Sequence, residues 1–311
     1  MSERLKGRNA VVTGAGVGIG AATALALAAE GAKVVVNDPG VARDGTGQDK
    51  EVADKVVDEI KARGGIAVAN YDSVSEWSSA ERIIKACVDN FERIDILVNN
   101  AGFLRDRMIF NMTEDEWSAV INVMLNGNFY CCRHASVLMR NQKYGRIINI
   151  TSDAWRGTVG HVNYGAAKAG IVGLTRAIAR ELGRYGVTCN AVAPSAGTRM
   201  TLSEEVKEGI KKRFEAGLIT KAQYESSMDF PPAEGVAPLI VHLASDAASN
   251  INGMVFHSEA GRVSIYSEPV EVKCLHKDYK KYGSFTVDEL AELVPRALLI
   301  GYTNPAPPRE T

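Results

Sequence analysis

Short β-branched runs alternate with longer amphipathic stretches from the start of the chain to about Val255, and this alternation restricts the possible folds more than any other feature. The runs have the length of strands and the stretches have the length of helices. Strands separated by helices require right-handed crossovers, which form a parallel sheet covered by helices on both faces. The sequence therefore predicts a doubly wound α/β fold. The seven predicted strands are Ala10–Thr13, Lys33–Asn37, Ile66–Asn70, Ile94–Val98, Arg146–Thr151, Thr188–Val192 and Met254–His257.

Two stretches depart from this alternation. Leu202–Ser227 is rich in Glu and Lys and follows the sixth predicted strand, so we expect it to cross the carboxyl edge of the sheet as a lid. The tail contains one helical piece, Val287–Ile300, and is too short for an independent domain. We predict a catalytic domain over residues 1–261 and a C-terminal extension over residues 262–311, packed on the core or on a neighbouring subunit.

The bulk composition excludes several classes of protein. Lys plus Arg total 36 against 37 for Asp plus Glu, a net charge of −1, which gives no reason to expect nucleic acid or an anionic membrane as partner. No apolar run approaches the ~18 residues of a membrane span. The five cysteines form no C-x-x-C pair, and the five histidines show no metal-ligand spacing. We predict a cytoplasmic protein without a metal site.

A glycine-rich turn joins the first predicted strand to an Ala-rich helix. In that context backbone amides and the helix N-terminus can approach a pyrophosphate, although glycines also form ordinary turns. Gly14 would permit the tight turn, Gly18 the close approach of the phosphates, and Gly20 the close packing of helix on strand. The turn therefore predicts a dinucleotide site that includes Gly14, Gly16, Gly18, Ile19 and Gly20.

Acidic residues follow the second and third predicted strands. A carboxylate at Asp38 is placed to accept hydrogen bonds from the adenosine ribose and would repel a 2′-phosphate, which favours NAD over NADP. The alternative is that Asp38 only begins the loop before Pro39. Asp72, with Ser73, is placed to meet the adenine amino group, and a helix cap is an equal alternative for Asp72.

Tyr164 is followed by a lysine four positions later, Lys168. On a helix this spacing places both side chains on one face, and a nearby ammonium favours the phenolate. We therefore expect the pKa of Tyr164 to fall from about 10 towards neutrality, which would make it a general base for an alcohol.

The same helix follows the fifth predicted strand, which ends in Thr151-Ser152. In doubly wound sheets the carboxyl ends of the strands border the ligand crevice. The Ser152 hydroxyl is therefore placed to hydrogen-bond the substrate oxygen, with a local turn cap as the alternative.

Together these motifs resemble the short-chain dehydrogenase/reductase family over about residues 6 to 260. The resemblance rests on Thr13-Gly14-x-x-x-Gly18-x-Gly20, Asn99-Asn100-Ala101-Gly102, Ser152 and Tyr164-x-x-x-Lys168. It implies a seven-stranded Rossmann fold, catalysis by Ser152, Tyr164 and Lys168, and a homodimer or homotetramer formed through two long helices, Glu114–Arg140 and Val162–Gly183. It also implies cofactor contacts from Tyr164 and Lys168 and from Asn100, Ala101, Gly102, Pro194, Ala196 and Thr198.

A narrower resemblance is to the (3R)-hydroxyacyl-CoA dehydrogenase domains of peroxisomal multifunctional enzymes and their actinobacterial steroid-degrading relatives. It rests on Val36-Asn37-Asp38, Leu104-Arg105-Asp106-Arg107-Met108 and Ala196-Gly197-Thr198-Arg199-Met200-Thr201. It implies NAD-dependent oxidation of a 3-hydroxyacyl-CoA, with a steroid-derived acyl group as one option. A hydroxysteroid or cyclic-alcohol dehydrogenase and an inactive NAD-binding regulator are the alternatives.

The chain departs from the family pattern at two places. Met124 stands where many members have an Asn, and it offers no useful hydrogen bond for a proton relay. Asn122 and Asn126 are poor substitutes because they point elsewhere around a helix. The loop from Ser152 to Tyr164 is one residue shorter than usual, so Thr151 is an alternative to Ser152.

Overall fold

A single mixed sheet forms the centre of the computed structural model, which describes residues 3–42, 45–197, 204–217, 219–221, 224–225 and 231–305. In chain order its strands are β1 Asn9–Thr13, β2 Lys33–Asn37, β3 Ile66–Asn70, β4 Ile96–Asn99, β5 Gly145–Ile150, β6 Val187–Pro194, β7 Val255–Glu259 and β8 Arg262–Ile265. The strand order is β3-β2-β1-β4-β5-β6-β7-β8, and β1 to β7 are parallel. The predicted doubly wound α/β fold is confirmed.

The eighth strand corrects the predicted count of seven. β8 runs antiparallel to β7, with Glu259 opposite Arg262 and only Ala260 and Gly261 between them. Gly261 has a φ of 82°, the left-handed conformation that a tight hairpin turn requires and that glycine adopts at little cost. The sheet therefore continues past Gly261, where the predicted catalytic domain ends.

Helices cover both faces of the sheet. The helices in the described part of the chain are α1 Gly18–Ala29, α2 Glu51–Ala62, α3 Trp77–Phe91, α4 Glu114–Ile121, α5 Gly127–Gln142, α6 Val162–Leu182, α7 Glu204–Glu215, α8 Ala237–Ala244, α9 Tyr279–Tyr282 and α10 Val287–Leu293, of which the last two lie beyond the sheet in the sequence. Buried side chains of α1, α2 and α8 form a core on one face. Those of α3, α5 and α6 form a core on the other. Helix α7 lies within the predicted lid, of which residues 202–203, 218, 222–223 and 226–227 lie outside the described part of the chain.

The predicted helix Glu114–Arg140 is not continuous. A π-helical segment, Asn122–Asn126, separates α4 from α5. Such segments widen a helix by one residue and often occur at functional sites. This one contributes Asn122 and Val123 to the wall of a cavity described below.

The order of the strands reverses between β1 and β4, because β2 and β3 extend the sheet to one side and β5 to β8 to the other. At such a switch point the loops after adjacent strands diverge and leave a crevice at the carboxyl edge. The loops after β1 and β4 contain the glycine-rich turn and Asn100-Ala101-Gly102. The fold therefore brings together two motifs that are far apart in the sequence.

The chain divides into two compact units, Met1–Tyr266 and Ser267–Thr311. In the second unit, Thr286 caps α10 through a capping box with Glu289, and Lys277 forms an ion pair with Glu289. No residue of the second unit that the structure describes is buried. None of the helices in the described ranges combines the length and apolar character needed to cross a membrane.

Candidate active site

The glycine-rich turn is hydrogen-bonded to the segment that follows β4. The Asn100 side-chain amide donates to the carbonyl oxygens of Thr13 (3.0 Å) and Gly14 (2.8 Å). In return, the Thr13 hydroxyl accepts from the backbone amides of Asn100 (3.0 Å) and Ala101 (3.1 Å). These bonds fix the two loops against each other at the switch point.

Gly20 lies where the first turn of α1 packs against the glycine-rich turn. A Cβ at this position would overlap the Gly14 carbonyl oxygen and lie 2.6 Å from the Asn100 side-chain nitrogen. Backbone groups supply most of this crowding, so a side chain could enter only if the turn moved. The close-packing role predicted for Gly20 has a direct geometric basis.

We expect Gly20→Ala to lower the free energy of unfolding by about 1–3 kcal/mol, the usual cost of overpacking. Urea unfolding of the variant and the wild type measures the difference. Gly209→Ala is the matched control, since Gly209 is also helical and a Cβ there meets nothing within 4 Å. The control should gain about 0.5–1 kcal/mol, and equal stability of the two variants would contradict the packing argument.

Asp38 lies at the end of β2 and is 7% exposed. Its carboxylate accepts hydrogen bonds from the backbone amides of Gly16 (2.9 Å) and Gly40 (2.7 Å). The bond to Gly40 is the loop contact considered as the alternative for Asp38, whereas the bond to Gly16 ties the carboxylate to the glycine-rich turn. Asp38 does both.

A cavity of about 500 Å³ opens between these loops. Nine of the predicted cofactor residues line it, and Phe103 and Arg105 are also part of its wall. The volume falls within the range of small-molecule and cofactor sites. The predicted cofactor residues that line it are Gly14, Gly18, Ile19, Gly20, Asp38, Ser73, Asn100, Ala101 and Gly102.

Six other predicted cofactor residues do not line this cavity: Gly16, Asp72, Tyr164, Lys168, Pro194 and Ala196. The Asp72 carboxylate accepts hydrogen bonds from Arg82, at 2.8 and 2.6 Å, and caps no helix. Pro194 ends β6, and Ala196 is buried just beyond it. Thr198 lies outside the described residues.

Tyr164 and Lys168 lie one turn apart on α6. The Lys168 Nζ is 5.5 Å from the centroid of the Tyr164 ring and donates a 2.7 Å hydrogen bond to the Ile150 carbonyl at the end of β5. Lys168 is only 4% exposed. The ammonium is therefore held below the phenol by the sheet.

Ser152, rather than Thr151, faces Tyr164. The Thr151 hydroxyl donates to the Lys168 carbonyl oxygen at 2.9 Å and is buried inside the fold. The Ser152 hydroxyl lies near enough to the Tyr164 phenol to lower its pKa, and it accepts from the Ala154 backbone amide at 3.3 Å. Ser152 thus serves as a local cap and reaches the tyrosine.

Burial governs the proton affinities of the pair. It raises the pKa of Tyr164, while the Ser152 hydrogen bond lowers that pKa and the Asp106 charge raises it. Burial also lowers the pKa of Lys168 to about 7. The prediction that Lys168 lowers the pKa of Tyr164 is therefore wrong for the ligand-free protein. The raising effect of burial on the Tyr164 phenol is the largest contribution to its pKa, and Lys168 loses part of its charge for the same reason.

Met124 is 2% exposed and packs with Phe103, Val120 and Ala167 against Tyr164. It fills with an apolar side chain the position at which many family members carry an amide. Asn126 donates to Asn122 at 2.9 Å, so the two neighbouring amides bond each other. The expectation that neither replaces the missing Asn agrees with this geometry.

Two contacts near the site were not predicted from the sequence. Asp153, which follows Ser152, accepts a hydrogen bond from Tyr266 and lies 3.4 Å from His257 Nδ1. Asp106 lies 3.6 Å from His161 Nδ1. The only signals for them are the positions of Asp153 and His161, within three residues of Ser152 and Tyr164. Among the described residues, no group of His, Cys, Asp and Glu could hold a metal ion.

Comparison with known proteins gives the family. A profile described as short chain dehydrogenase matches residues 8–209, which include the glycine-rich turn, Ser152, Tyr164 and Lys168. The chain belongs to this family. It is therefore an oxidoreductase of the kind that uses a nicotinamide dinucleotide, and the alternative of an inactive regulator is not favoured.

Three relatives show the range of similarity. The chain is 51% identical over 197 residues to the peroxisomal hydratase-dehydrogenase-epimerase of Saccharomyces cerevisiae; the match covers 63% of this chain and 22% of that protein. It is 42% identical over 278 residues to hydroxyacyl-CoA dehydrogenase ChsB1 of Mycobacterium tuberculosis, covering 85% and 81% of the two chains. The structure of a short chain dehydrogenase from Mycobacterium avium, 42% identical, matches with a TM-score of 0.79 over 97% of both chains. The chain thus spans about a fifth of the yeast protein.

Proposed function

We propose that this dehydrogenase oxidises the hydroxyl of a 3-hydroxyacyl-CoA to a ketone, with NAD as the hydride acceptor. The proposal depends above all on the grouping of Ser152, Tyr164 and the buried Lys168 where β5 ends and α6 begins. Two hydroxyls and a lysine amino group at the carboxyl edge of the sheet are groups that can bind an alcohol and take its proton.

The residues around the cavity fit a dinucleotide. Gly14 and Gly18 keep the turn free of side chains, and the N-terminus of α1 favours a pyrophosphate. Asp38 would meet the adenosine ribose, and Lys168 and Tyr164 would face the nicotinamide end. When bound, the oxidised nicotinamide would accept the hydride and place a positive charge near Tyr164, which opposes the effect of burial on the phenol.

The chain's own groups then perform the proton chemistry. Ser152 donates to the substrate oxygen and orients it, and Tyr164 accepts the hydroxyl proton as the hydride leaves. Lys168 fixes the end of β5 through Ile150 and keeps an ammonium, when protonated, beneath the phenol.

The name of one relative, hydroxyacyl-CoA dehydrogenase ChsB1, supports the acyl-CoA class of substrate. Arg105 lies in the cavity wall and pairs with the exposed Asp115, and a CoA phosphate would compete with that carboxylate for its guanidinium. A steroid-derived acyl group and a homodimer or homotetramer are further parts of this proposal. The cytoplasmic location stays a prediction, and the peroxisomal names belong to the relatives.

NADH formation from a panel of substrates tests the proposal. We expect turnover with 3-hydroxyacyl-CoA esters of straight-chain and steroid-derived acids, and much weaker turnover with the matching free hydroxysteroids and cyclic alcohols. Each substrate is run with NAD and with NADP. Faster oxidation of the free alcohols would replace the proposed substrate with the alternative class.

The lowered pKa of Lys168 predicts a pH-dependent stability. In the unfolded chain the pKa of lysine is about 10.4, so above pH ~7 the unfolded state binds a proton that the ligand-free folded state has lost. The free energy of unfolding should therefore rise with pH, by at most about 1.4 kcal/mol per pH unit, and the penalty should be fully present below pH ~7.

Urea unfolding at pH 7 and pH 8 measures this slope in the wild type and in Lys168→Met. Methionine has a similar length and cannot titrate, so the variant should lack the contribution of Lys168 to the pH dependence of the free energy of unfolding. An equal slope in both proteins would show that another group causes it.

A further inference from the structure

Two titratable side chains lie beside Tyr164 and have no part in the chemistry described so far. His161 Nδ1 is buried, has no hydrogen-bond partner, and lies 3.6 Å from Asp106 Oδ1. The His161 ring contacts the Tyr164 ring edge-on, with centroids 5.8 Å apart and an interplanar angle of 74°. His161 thus contacts both the exposed carboxylate of Asp106 and the ring of Tyr164.

Backbone contacts hold Asp106 next to His161. The Arg107 amide donates to the Gly160 carbonyl oxygen at 2.9 Å, so the segment after β4 pairs with the loop before α6. On the other side, the buried Asn163 amide donates to the Arg105 carbonyl oxygen at 2.9 Å. The backbone on both sides of Asp106 is thus held against the residues that flank His161.

His161 is not explained by a role in the helix. It occupies the N-cap position of α6 but makes no side-chain capping bond. With Nδ1 buried and directed at Asp106 and the side chain 21% exposed, Nε2 is the accessible ring nitrogen. A neutral imidazole whose Nδ1–H faces a carboxylate carries its lone pair on Nε2 and can accept a proton there. Catalytic hydrogen bonds of this kind are often long before substrate binds.

The reaction leaves a proton on Tyr164 that must reach solvent before the next turnover. The apolar side chain of Met124 closes one side of the phenol. On the other side Lys168 is buried and bonded to the Ile150 carbonyl oxygen. Of these neighbours, His161 is the one that has both contact with Tyr164 and an accessible basic nitrogen.

We propose that His161, oriented by Asp106, carries the proton between Tyr164 and solvent. The step rests on the proposed alcohol oxidation. After Tyr164 has taken the substrate proton, the phenol O–H bond breaks and an Nε2–H bond forms, directly or through one water. The imidazolium next to Asp106 then releases this proton to water, so His161 returns to its neutral form. Asp106 is a positioning residue in this scheme.

Other charged groups around the pair are already engaged. Arg107 pairs with Glu116 at 2.8 Å, and Arg105 pairs with Asp115. Asp106 is therefore the carboxylate that faces the imidazole, and Tyr164 is its titratable neighbour from α6.

Steady-state oxidation of a 3-hydroxyacyl-CoA by His161→Ala, with and without added imidazole, tests the proposal. We expect kcat to fall about tenfold at neutral pH with KM little changed, because one proton-transfer group is lost. Imidazole should restore most of kcat, and the solvent deuterium isotope effect on kcat should be larger than in the wild type. Asp106→Asn should give a smaller loss that imidazole does not restore.

His161→Gln serves as a second variant if the alanine protein does not fold, and it should lose kcat without rescue. His242→Gln is the control, since His242 is an exposed residue of α8 outside the site. Unchanged kcat in the His161 variants, or a loss that imidazole leaves intact in His161→Ala, would overturn the proposal. If the wild type itself does not oxidise 3-hydroxyacyl-CoA, the proposed substrate fails instead, and the same variants are compared on the alcohol that it does oxidise.

Discussion

Tyr164→Phe should reduce kcat/KM for alcohol oxidation by about 10²–10⁴-fold, the usual contribution of a positioned general base. The substitution removes one oxygen atom and leaves the ring in its contacts with Met124 and His161. Dinucleotide binding should persist, because the residues that line the cavity are unchanged and the Tyr164 ring is retained. NADH formation measures the loss, and fluorescence titration with NADH measures the binding.

Tyr144→Phe is the matched control. The Tyr144 hydroxyl donates to Asp246 at 2.9 Å, and Tyr144 immediately precedes β5, at the amino edge of the sheet. This variant also loses a hydrogen-bonded phenol, yet it should keep wild-type turnover. Normal activity of Tyr164→Phe, or equal losses in the two variants, would remove the basis for the assigned chemistry.

Asp38→Asn should reduce the preference for NAD over NADP, measured as the ratio of kcat/KM values, by about 100-fold. The reason is that a carboxylate facing the adenosine ribose repels a 2′-phosphate, and like charges in contact cost several kcal/mol. The amide keeps the shape of the side chain but not its charge. Losses from the disturbed bonds to Gly16 and Gly40 affect both cofactors and cancel in the ratio.

Asp49→Asn is the control for that measurement, because Asp49 lies in the same loop, is exposed and does not line the cavity. Its ratio should equal that of the wild type. A wild-type enzyme that used NADP as well as NAD would show that Asp38 has no part in selecting the cofactor.

Local sequence patterns predicted most of the fold, because the strands are short β-branched runs and the helices are longer amphipathic stretches. The boundaries of β2 and β3 agree with the sequence analysis, and the strand–turn–helix context correctly located the glycine-rich turn at the edge of the cavity. Strand β8 was missed because a four-residue edge strand with three exposed residues, after a two-residue turn, has no strong hydrophobic pattern.

The chemistry of the site was harder to predict because it depends on burial and on contacts between distant segments. Spacing placed Tyr164 and Lys168 on one helix face, but it could not show that both groups would be desolvated, which reverses the expected pKa shift of the phenol. The choice between Thr151 and Ser152 required the bond from Thr151 to the Lys168 carbonyl oxygen. The approach of Asp106 to His161 depends on the pairing of two loops that follow different strands.

The link between β8 and the segment after Ser152 determines how shortened forms of this enzyme would behave. A protein ending at Gly261 would lose the partner strand of β7 and the Tyr266 hydroxyl that bonds Asp153. It would expose unpaired backbone groups along β7, which promotes aggregation through edge-to-edge strand pairing. It would also remove the hydrogen bond that holds Asp153, the residue next to Ser152. A deletion that tests the role of the residues after Tyr266 should therefore retain Tyr266. Otherwise the loss of β8 and of the Asp153 hydrogen bond would be mistaken for the loss of that role.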